Sequence, residues 1–404
     1  MFSKLTRLHY WLIFGILLRI ILIPLSSHSD TRGHYLGSYF IVYKNSLFSF
    51  YDYISKLPRT DPLVKNYGDD FLVYSPATYL FHAAILWVEK PIFPVKLYET
   101  LVLDYSRAVS SPDYWYLQYL LKLPYLFIDL ACLWLILKIV PEKLKLLSTG
   151  FWTLNIPVIY SAYLLGQFDI LIVFCFLVAV LFITKNKPHF SAFVLGLSAG
   201  FKPFGLFLLP LLPGNKFKNI IIGLITYLVI LLPYLPSPAF RQYALLAQQS
   251  DKMLFAKISV SGSQFISIFF TGLILIYLLQ KNKNYLNLTI PLLLFYSVTH
   301  YHPQWFAWIA PFLLLIYVQY PKYRLPVLIL NLLNILIILS FDYSLNFGLF
   351  GWKLELLPLI SKYFPADTLV SLIRSALAAT SIFLITQLLT MSELPPIQRN
   401  LGNK

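Results

Sequence analysis

Three short polar segments hold the side chains best suited to acid–base chemistry or anion binding. They are SSHSDTRGHY, with Asp30, GLSAGFKPFGLF, with Lys202, and SVTHYHPQWFAW, with His300 and His302. A carboxylate can take a proton from an attacking hydroxyl that lies within hydrogen-bond reach. A buried lysine requires an anion, and a lipid phosphate would serve. Imidazole can donate to a phosphate oxygen. These residue types therefore suit hydroxyl activation and phosphate binding.

Each of these residues also has a purely structural interpretation. Asp30 could be a solvated loop aspartate or the N-cap of a helix over TRGHYLGSYF. Lys202 could extend to the membrane interface and be solvated there. His300 and His302 lack the four-residue helical spacing of a zinc-binding pair, and each could be a hydrogen-bonded interfacial histidine. Position in the sequence leaves both interpretations open.

Further polar residues lie at turns between apolar runs. LLGQFDILI places Gln167 and Asp169 after Gly166, which permits a tight turn. The two side chains could bond the outer loop or a sugar, or they could cap a helix hairpin. Tyr74, directly before a Ser-Pro pair that starts a helix in LVYSPATYLF, is a further candidate substrate-binding residue, although helix initiation alone would explain that motif.

Three charged residues lie inside apolar runs, namely Arg19, Lys122 and Asp129. Charges at such positions usually face a partner or a cavity. Arg19 and Asp129 could form a structural pair, and Arg19 and Lys122 could also extend to the interface. If they face a cavity instead, Arg19 and Lys122 become candidate substrate-binding residues.

The elements that must position these residues are membrane helices. Of 404 residues, 58% are hydrophobic and 12% are charged, against about 25% charged in a typical soluble domain. Apolar stretches of spanning length recur along the whole chain, which predicts an all-α polytopic membrane protein with one integral domain over residues 1–404. The net charge of +15 lies in short clusters between spans, as topology requires, and does not indicate nucleic acid.

The basic clusters predict the topology, because lysine and arginine favour the cytoplasmic side. We expect both termini and the clusters KLTR, KIVPEKLK, TKNKPH, GNKFKN, QKNKN and YPKYR to be cytoplasmic. The predicted spans lie at about 8–26, 116–138, 149–165, 167–184, 220–236, 263–280, 285–300, 304–320, 325–341 and 368–390.

Two segments depart from simple alternation. Residues 190–213 lie between two basic clusters, so a re-entrant hairpin turning at GFKPF keeps both clusters inside. Residues 76–88 are short for a crossing and predict an interfacial or re-entrant helix. The first extracytoplasmic loop, about 27–115, holds nine of the 17 acidic residues and therefore most of the candidate acid–base chemistry.

Taken in order, these stretches resemble the GT-C glycosyltransferases, which take sugars from polyprenyl-phosphate carriers at the extracytoplasmic membrane face. The similarity covers roughly residues 8–320. SSHSDTRGHY resembles the first-loop aspartate segment, LVYSPATYLF the Tyr-Pro-Pro helix start with Ser75 for the first proline, and LLGQFDILI the polar hairpin. GLSAGFKPFGLFLLP resembles the lysine-bearing span and SVTHYHPQWFAWIAP the histidine segment near the carrier phosphate. Dolichyl-phosphate-glucose glucosyltransferases and the GPI-anchor and bacterial lipoglycan mannosyltransferases are similar types.

The resemblance implies a bundle of about 11–13 transmembrane helices in a cell or endoplasmic-reticulum membrane. It implies an inverting hexosyltransferase that uses mannose or glucose, with Asp30 as base and with Lys202 and one or both histidines on the donor phosphate. The partners would be a polyprenyl-phosphate-sugar, a glycan, glycolipid or protein acceptor, and the bilayer. Such a donor requires no cofactor, and a need for divalent metal stays open.

Two other functions remain compatible with the sequence. A lipid-linked-saccharide flippase or transporter would bring its charges together near the bilayer midplane and would often contain an internal repeat, of which we find no convincing sign. An inactive relative could serve as a subunit of a glycan-assembly complex. The acid-rich first loop favours the enzyme.

Overall fold

The protein is a bundle of α-helices. The computed structural model describes residues 6–68, 72–280 and 284–391, so the C-terminal basic tail and parts of KLTR and QKNKN lie outside the described residues. The helices are α1 (Arg7–Leu25), α2 (Asp30–Lys44), α3 (Pro62–Tyr67), α4 (Pro76–Glu89), α5 (Val95–Leu103), α6 (Tyr105–Val109), α7 (Tyr114–Ile139), α8 (Lys145–Thr153), α9 (Ile156–Ile159), α10 (Asp169–Thr184), α11 (Pro188–Ala199), α12 (Lys216–Leu231), α13 (Ile268–Leu279), α14 (Thr289–Val298), α15 (Ala310–Gln319), α16 (Arg324–Leu339), α17 (Leu356–Ile360) and α18 (Ala366–Thr390). The strands that the described residues form are β1 (Lys257–Ser261) and β2 (Gln264–Ser267), an antiparallel hairpin. The prediction of an all-α polytopic membrane protein is confirmed.

Five helical stretches are long and apolar enough to cross a membrane. They are Arg7–Leu25, Tyr114–Ile139, Lys216–Tyr234, Pro321–Leu339 and Ala366–Thr390. Four shorter apolar stretches accompany them, at Asp169–Thr184, Ile268–Leu279, Tyr285–Val298 and Pro303–Gln319. Each lies within or close to a predicted span because continuous apolar sequence forms helices whose backbone bonds are satisfied internally.

Two predicted spans differ from the observed elements. The span predicted at 149–165 is interrupted, since α8 ends at Thr153, the Asn155 side chain caps α9, and a π-helical turn follows over Tyr160–Leu164. The span predicted at 263–280 begins only at Ile268, because residues 264–267 form β2. A short run of apolar residues does not distinguish strand from helix by pattern alone.

The buried core lies around α7, α10, α14 and α15, whose apolar side chains pack on one another. α1, α12 and α18 flank this core and leave more of their apolar side chains exposed. Exposed leucines and isoleucines on these outer helices are expected where lipid is the neighbouring solvent.

Residues 27–115, predicted above to be the first extracytoplasmic loop and called here the first outer segment, have an aromatic core of their own. Phe50, Tyr51, Tyr79 and Tyr98 are nearly fully buried there, and α2 packs against α4. The 14 residues of α4 extend only about 21 Å at 1.5 Å per residue, less than the ~30 Å of a bilayer core. α4 is therefore too short to cross unaided.

Residues 188–214 fold back on themselves. α11 is followed by a 3₁₀-helix over Pro203–Leu211, and a Cβ on Gly205 would lie 2.6 Å from the Leu195 carbonyl oxygen. At the open end a Cβ on Gly214 would lie 3.3 Å from Pro188. The two arms therefore run antiparallel with adjoining ends. At the tip, the Gly200 carbonyl accepts the Ala77 amide of α4 at 3.2 Å. The side from which this hairpin enters the bilayer stays a prediction.

Candidate active site

A cavity of about 380 Å³ lies between the first outer segment and the tip of the 188–214 hairpin, and we call it the central cavity. It brings together residues from six separate parts of the chain. Among those that line it are Asp30, Tyr74, Gln167, Lys202, His302 and Trp305. Sequence analysis singled out the first five of these side chains, although up to 272 positions separate them in the chain.

Asp30 is the first residue of α2, and Ser29 takes the N-cap position. A carboxylate in the first turn is stabilised by the partial positive charge of the helix N-terminus. The Gln167 side-chain amide donates to Asp30 Oδ2 at 3.1 Å. The Asp30 side chain stays 41% exposed, so a hydroxyl in the central cavity can reach it.

The Gly166 turn holds Gln167 against the start of α2. Gly166 has a φ of +66°, a conformation that side chains disfavour. A Cβ at this position would lie 2.5 Å from Thr31 Cγ2 and 3.1 Å from Lys122 Cε. Close approach of two segments, as well as backbone angle, therefore requires glycine here.

Lys202 lies at the hairpin tip as the centre of a charged and aromatic cluster. Its Nζ donates to Asp169 Oδ1 at 2.6 Å, and the Trp308 indole donates to the same oxygen at 2.7 Å. The rings of Trp305 and Trp308 lie 5.2 and 5.1 Å from Nζ, within cation–π range. Because an ammonium has three donors, Lys202 keeps capacity for an anion in the cavity, while the fully buried Asp169 fixes its position.

His302 lines the central cavity and contacts Lys252 through Nε2. Burial, followed by the nearby charges of Lys252 and Lys202, lowers the pKa of His302 to about 3, so its imidazole is neutral at physiological pH and its Nε2 can accept from the ammonium. Burial and then Lys202 lower the pKa of Lys252 to about 8. Lys252 was not predicted as a site residue, because a single lysine in a polar loop forms no motif.

His300 does not line the central cavity. Its ring lies 5.6 Å from that of Phe255 and 6.4 Å from that of Phe341. Of the two histidines, only His302, at the start of the 3₁₀-helix that begins at Pro303, therefore lines the central cavity together with Lys202.

Two buried polar atoms on the cavity wall have no hydrogen-bond partner among the described residues. They are Ser75 Oγ and Gln304 Oε1. Buried polar groups are normally paired, so both atoms are suited to a polar ligand. Tyr74 contributes its ring to the same wall, 4.8 Å from His34 and 5.3 Å from Phe168. Sequence analysis overlooked Gln304, which follows the Pro303 helix start.

The model of glycosyltransferase family 87 matches residues 123–340, more than half of the chain. The chain belongs to glycosyltransferase family 87. The matched region contains Gln167, Asp169, Lys202, Lys252 and His302, whereas Asp30 and Tyr74 lie before it. No curated protein and no solved structure matches this family 87 member.

Arg19 lies away from the central cavity of this glycosyltransferase, and the structure gives it a structural role in place of the predicted substrate-binding one. Its Nε donates to Asp129 Oδ2 at 2.5 Å, and its other nitrogens donate to the carbonyls of Thr153 and Trp152 at 3.1 and 3.3 Å. The Tyr163 hydroxyl donates to the same Asp129 oxygen at 2.8 Å. Each of the three guanidinium nitrogens thus donates to a protein partner.

Lys122 of this family 87 member likewise has its hydrogen-bond partners within the protein. Its Nζ donates to the carbonyls of Ile23, Ser26 and Tyr163 at 3.1, 2.7 and 3.0 Å. Three carbonyls satisfy all three donors of an ammonium. We therefore assign Lys122 to joining α1, α7 and the π-helical turn, not to the substrate.

Proposed function

We propose that this glycosyltransferase moves a hexose, mannose or glucose, from a polyprenyl-phosphate carrier to an acceptor hydroxyl at the extracytoplasmic membrane face, with inversion at the anomeric carbon. One observation carries the proposal. An accessible carboxylate, Asp30, shares one cavity with the ammonium of Lys202 and with His302, and His302 in turn contacts Lys252. Inverting transfer from a lipid phosphate requires both groups.

An apolar wall next to the cationic cluster supports a lipid-linked donor. Phe204, Phe207, Tyr227, Leu231 and Phe240 line this part of the central cavity. A polyprenyl chain gains free energy when it leaves water for such a surface. A nucleotide would find few polar partners on the same wall.

The cations would act on the leaving phosphate. When the bond between the anomeric carbon and the phosphate oxygen breaks, its electron pair stays on the phosphate, and a monoanionic diester becomes a monoester dianion. Lys202 and Lys252 can stabilise that added charge by charge-assisted hydrogen bonds. Donors fixed in place before the reaction lower the barrier without reorganising during it.

Asp30 would act on the acceptor. Its carboxylate takes the proton of the attacking hydroxyl as the new carbon–oxygen bond forms. Gln167 would position this base. Its side-chain amide donates to one Asp30 oxygen and leaves the other oxygen free for the acceptor hydroxyl. Attack on the face opposite the departing phosphate inverts the anomeric carbon.

The intramembrane charges support an enzyme over a transporter. A transporter is expected to place ionisable groups along a substrate path. Arg19, Asp129 and Lys122 instead form closed contacts with each other or with carbonyls, and none lines the central cavity.

The test is sugar transfer by the full-length protein in lipid nanodiscs. Radiolabelled polyprenyl-phosphate-mannose, polyprenyl-phosphate-glucose and the matching nucleotide sugars are supplied in turn, with glycolipids from the native membrane as acceptors. We expect label to move from one of the lipid-linked donors and from neither nucleotide sugar. Transfer from a nucleotide sugar, or no transfer by folded protein, would overturn the proposal.

A further inference from the structure

A second cavity, of about 270 Å³, lies in the first outer segment between α2, α3 and α5, and we call it the outer cavity. It shares no lining residue with the central cavity. Its volume approaches the lower end of small-molecule sites, about 300–1,000 Å³. The mechanism above makes no use of it.

The walls of the outer cavity are aromatic. Tyr39, Phe40, Tyr53 and Tyr98 contribute to them, and the rings of Phe40 and Tyr53 are stacked at 4.2 Å. The rings of Tyr39 and Tyr98 lie 5.7 Å apart. Tyrosine combines an apolar ring with a polar hydroxyl, so such a wall suits a ligand that is apolar on its face and polar at its edge, as a sugar ring is.

The charged groups that line the outer cavity are two carboxylates and one ammonium. Glu99 accepts the Tyr39 hydroxyl, Asp61 accepts the Leu63 amide as the cap of α3, and Lys44 lies 5.6 Å from the Tyr39 ring. Each carboxylate has a second oxygen with further acceptor capacity. An anionic ligand would meet two like charges here. A neutral polyhydroxyl ligand can use all three groups.

We propose that the outer cavity binds a neutral saccharide and that this saccharide is a distal sugar of the acceptor. The second part rests on the proposed function. Asp30 opens α2, and Tyr39 lies nine residues along the same helix, about 14 Å away at 1.5 Å per residue. One helix therefore connects the base with the second sugar site, and the acceptor is an oligosaccharide long enough to reach both.

The binding test uses the full chain in nanodiscs free of glycoside detergent, whose sugar headgroup would compete. The probes are α-mannobiose, maltose and methyl α-mannoside, followed by saturation-transfer NMR. Leu103→Trp fills the outer cavity from its rim, and Val109→Trp is the matched control, since the two side chains are 41% and 40% exposed and Val109 lines neither cavity. Glu99→Gln removes a charged acceptor without changing size.

We expect saturable binding of at least one disaccharide by the wild type and by Val109→Trp. Glu99→Gln should weaken it about tenfold, the value of one charge-assisted hydrogen bond, and Leu103→Trp should abolish it. Equal binding by Leu103→Trp and Val109→Trp, or no saturable binding by the wild type, would overturn the proposal.

A transfer assay distinguishes this proposal from the proposed function. We expect Leu103→Trp to raise KM for an oligosaccharide acceptor and to leave KM for a monosaccharide acceptor unchanged. Equal rises in KM for both acceptors would show that the outer cavity binds no sugar of the acceptor. Saccharide binding that Leu103→Trp removes, in a protein that transfers from no lipid-linked donor, would refute the proposed function and leave the outer site standing.

Discussion

Replacing Lys202 should damage both the fold and the reaction, and a second substitution should separate the two effects. Lys202→Met leaves Asp169 with a buried negative charge whose remaining partners, among the described residues, are the Trp308 indole and a distant Ser161 hydroxyl. Breaking a buried ion pair by removing one partner costs about 3–5 kcal/mol. The Asp169 side chain is fully buried, so solvent screening does not reduce this cost.

The double variant Lys202→Met with Asp169→Asn removes the unpaired charge and keeps an oxygen for Trp308. Replacing both members of a buried pair is often nearly neutral. We therefore expect thermal unfolding in nanodiscs to show a large loss for the single variant and recovery of most of it in the double variant.

The rate of sugar transfer should not recover with the fold. Loss of one preorganised donor at a developing negative charge typically costs about 10²–10³ in kcat. We expect the folded double variant to stay in that range below the wild type, with a raised KM for the lipid-linked donor. If it transferred sugar within about threefold of the wild type, the assignment of Lys202 to the donor phosphate would be refuted.

Three further outcomes follow from the site. In steady-state assays, His302→Gln should raise the donor KM about tenfold, whereas His300→Gln should leave it unchanged. Equal effects of the two substitutions would contradict the placement of His302, but not His300, in the central cavity. Lys252, with a pKa lowered to about 8, is charged below that pH and neutral above it, so donor kcat/KM should fall as pH rises through about 8. Lys252→Arg should lose that fall, and a pH profile identical to the wild type would exclude Lys252 from donor binding. Arg19→Met should lower the free energy of unfolding by about 3–5 kcal/mol in thermal unfolding. The fraction that stays folded should keep the wild-type KM for the donor. A raised donor KM in that fraction would instead indicate that Arg19 binds substrate.

The membrane helices were largely predictable because length and apolarity decide them. The last span was predicted at 368–390 and lies at Ala366–Thr390. Glycine, proline and two flanking basic clusters also indicate the fold-back within 190–213, whereas its re-entry into the bilayer stays a prediction. Local sequence carries these features, and no distant contact is needed to form them.

The contacts within the site could not be predicted in the same way. Asp30 and Gln167 are 137 residues apart, and only the close approach of the Gly166 turn to the start of α2 joins them. Which histidine meets Lys252 depends on how the chain enters the 3₁₀-helix at Pro303. Ring direction in a loop is set by tertiary neighbours, here Lys252 for His302 and Phe255 for His300.

The most direct test of the central claim is single-turnover transfer by Asp30→Asn. Wild type and variant are loaded with labelled polyprenyl-phosphate-sugar in nanodiscs, donor binding is measured, and acceptor is then added. Loss of a general base typically lowers the rate about 10²–10⁴-fold. We predict that fall with donor affinity unchanged, since the proposed partners of the donor phosphate are Lys202 and Lys252, which Asp30→Asn leaves in place. Transfer at the wild-type rate by Asp30→Asn would contradict the account.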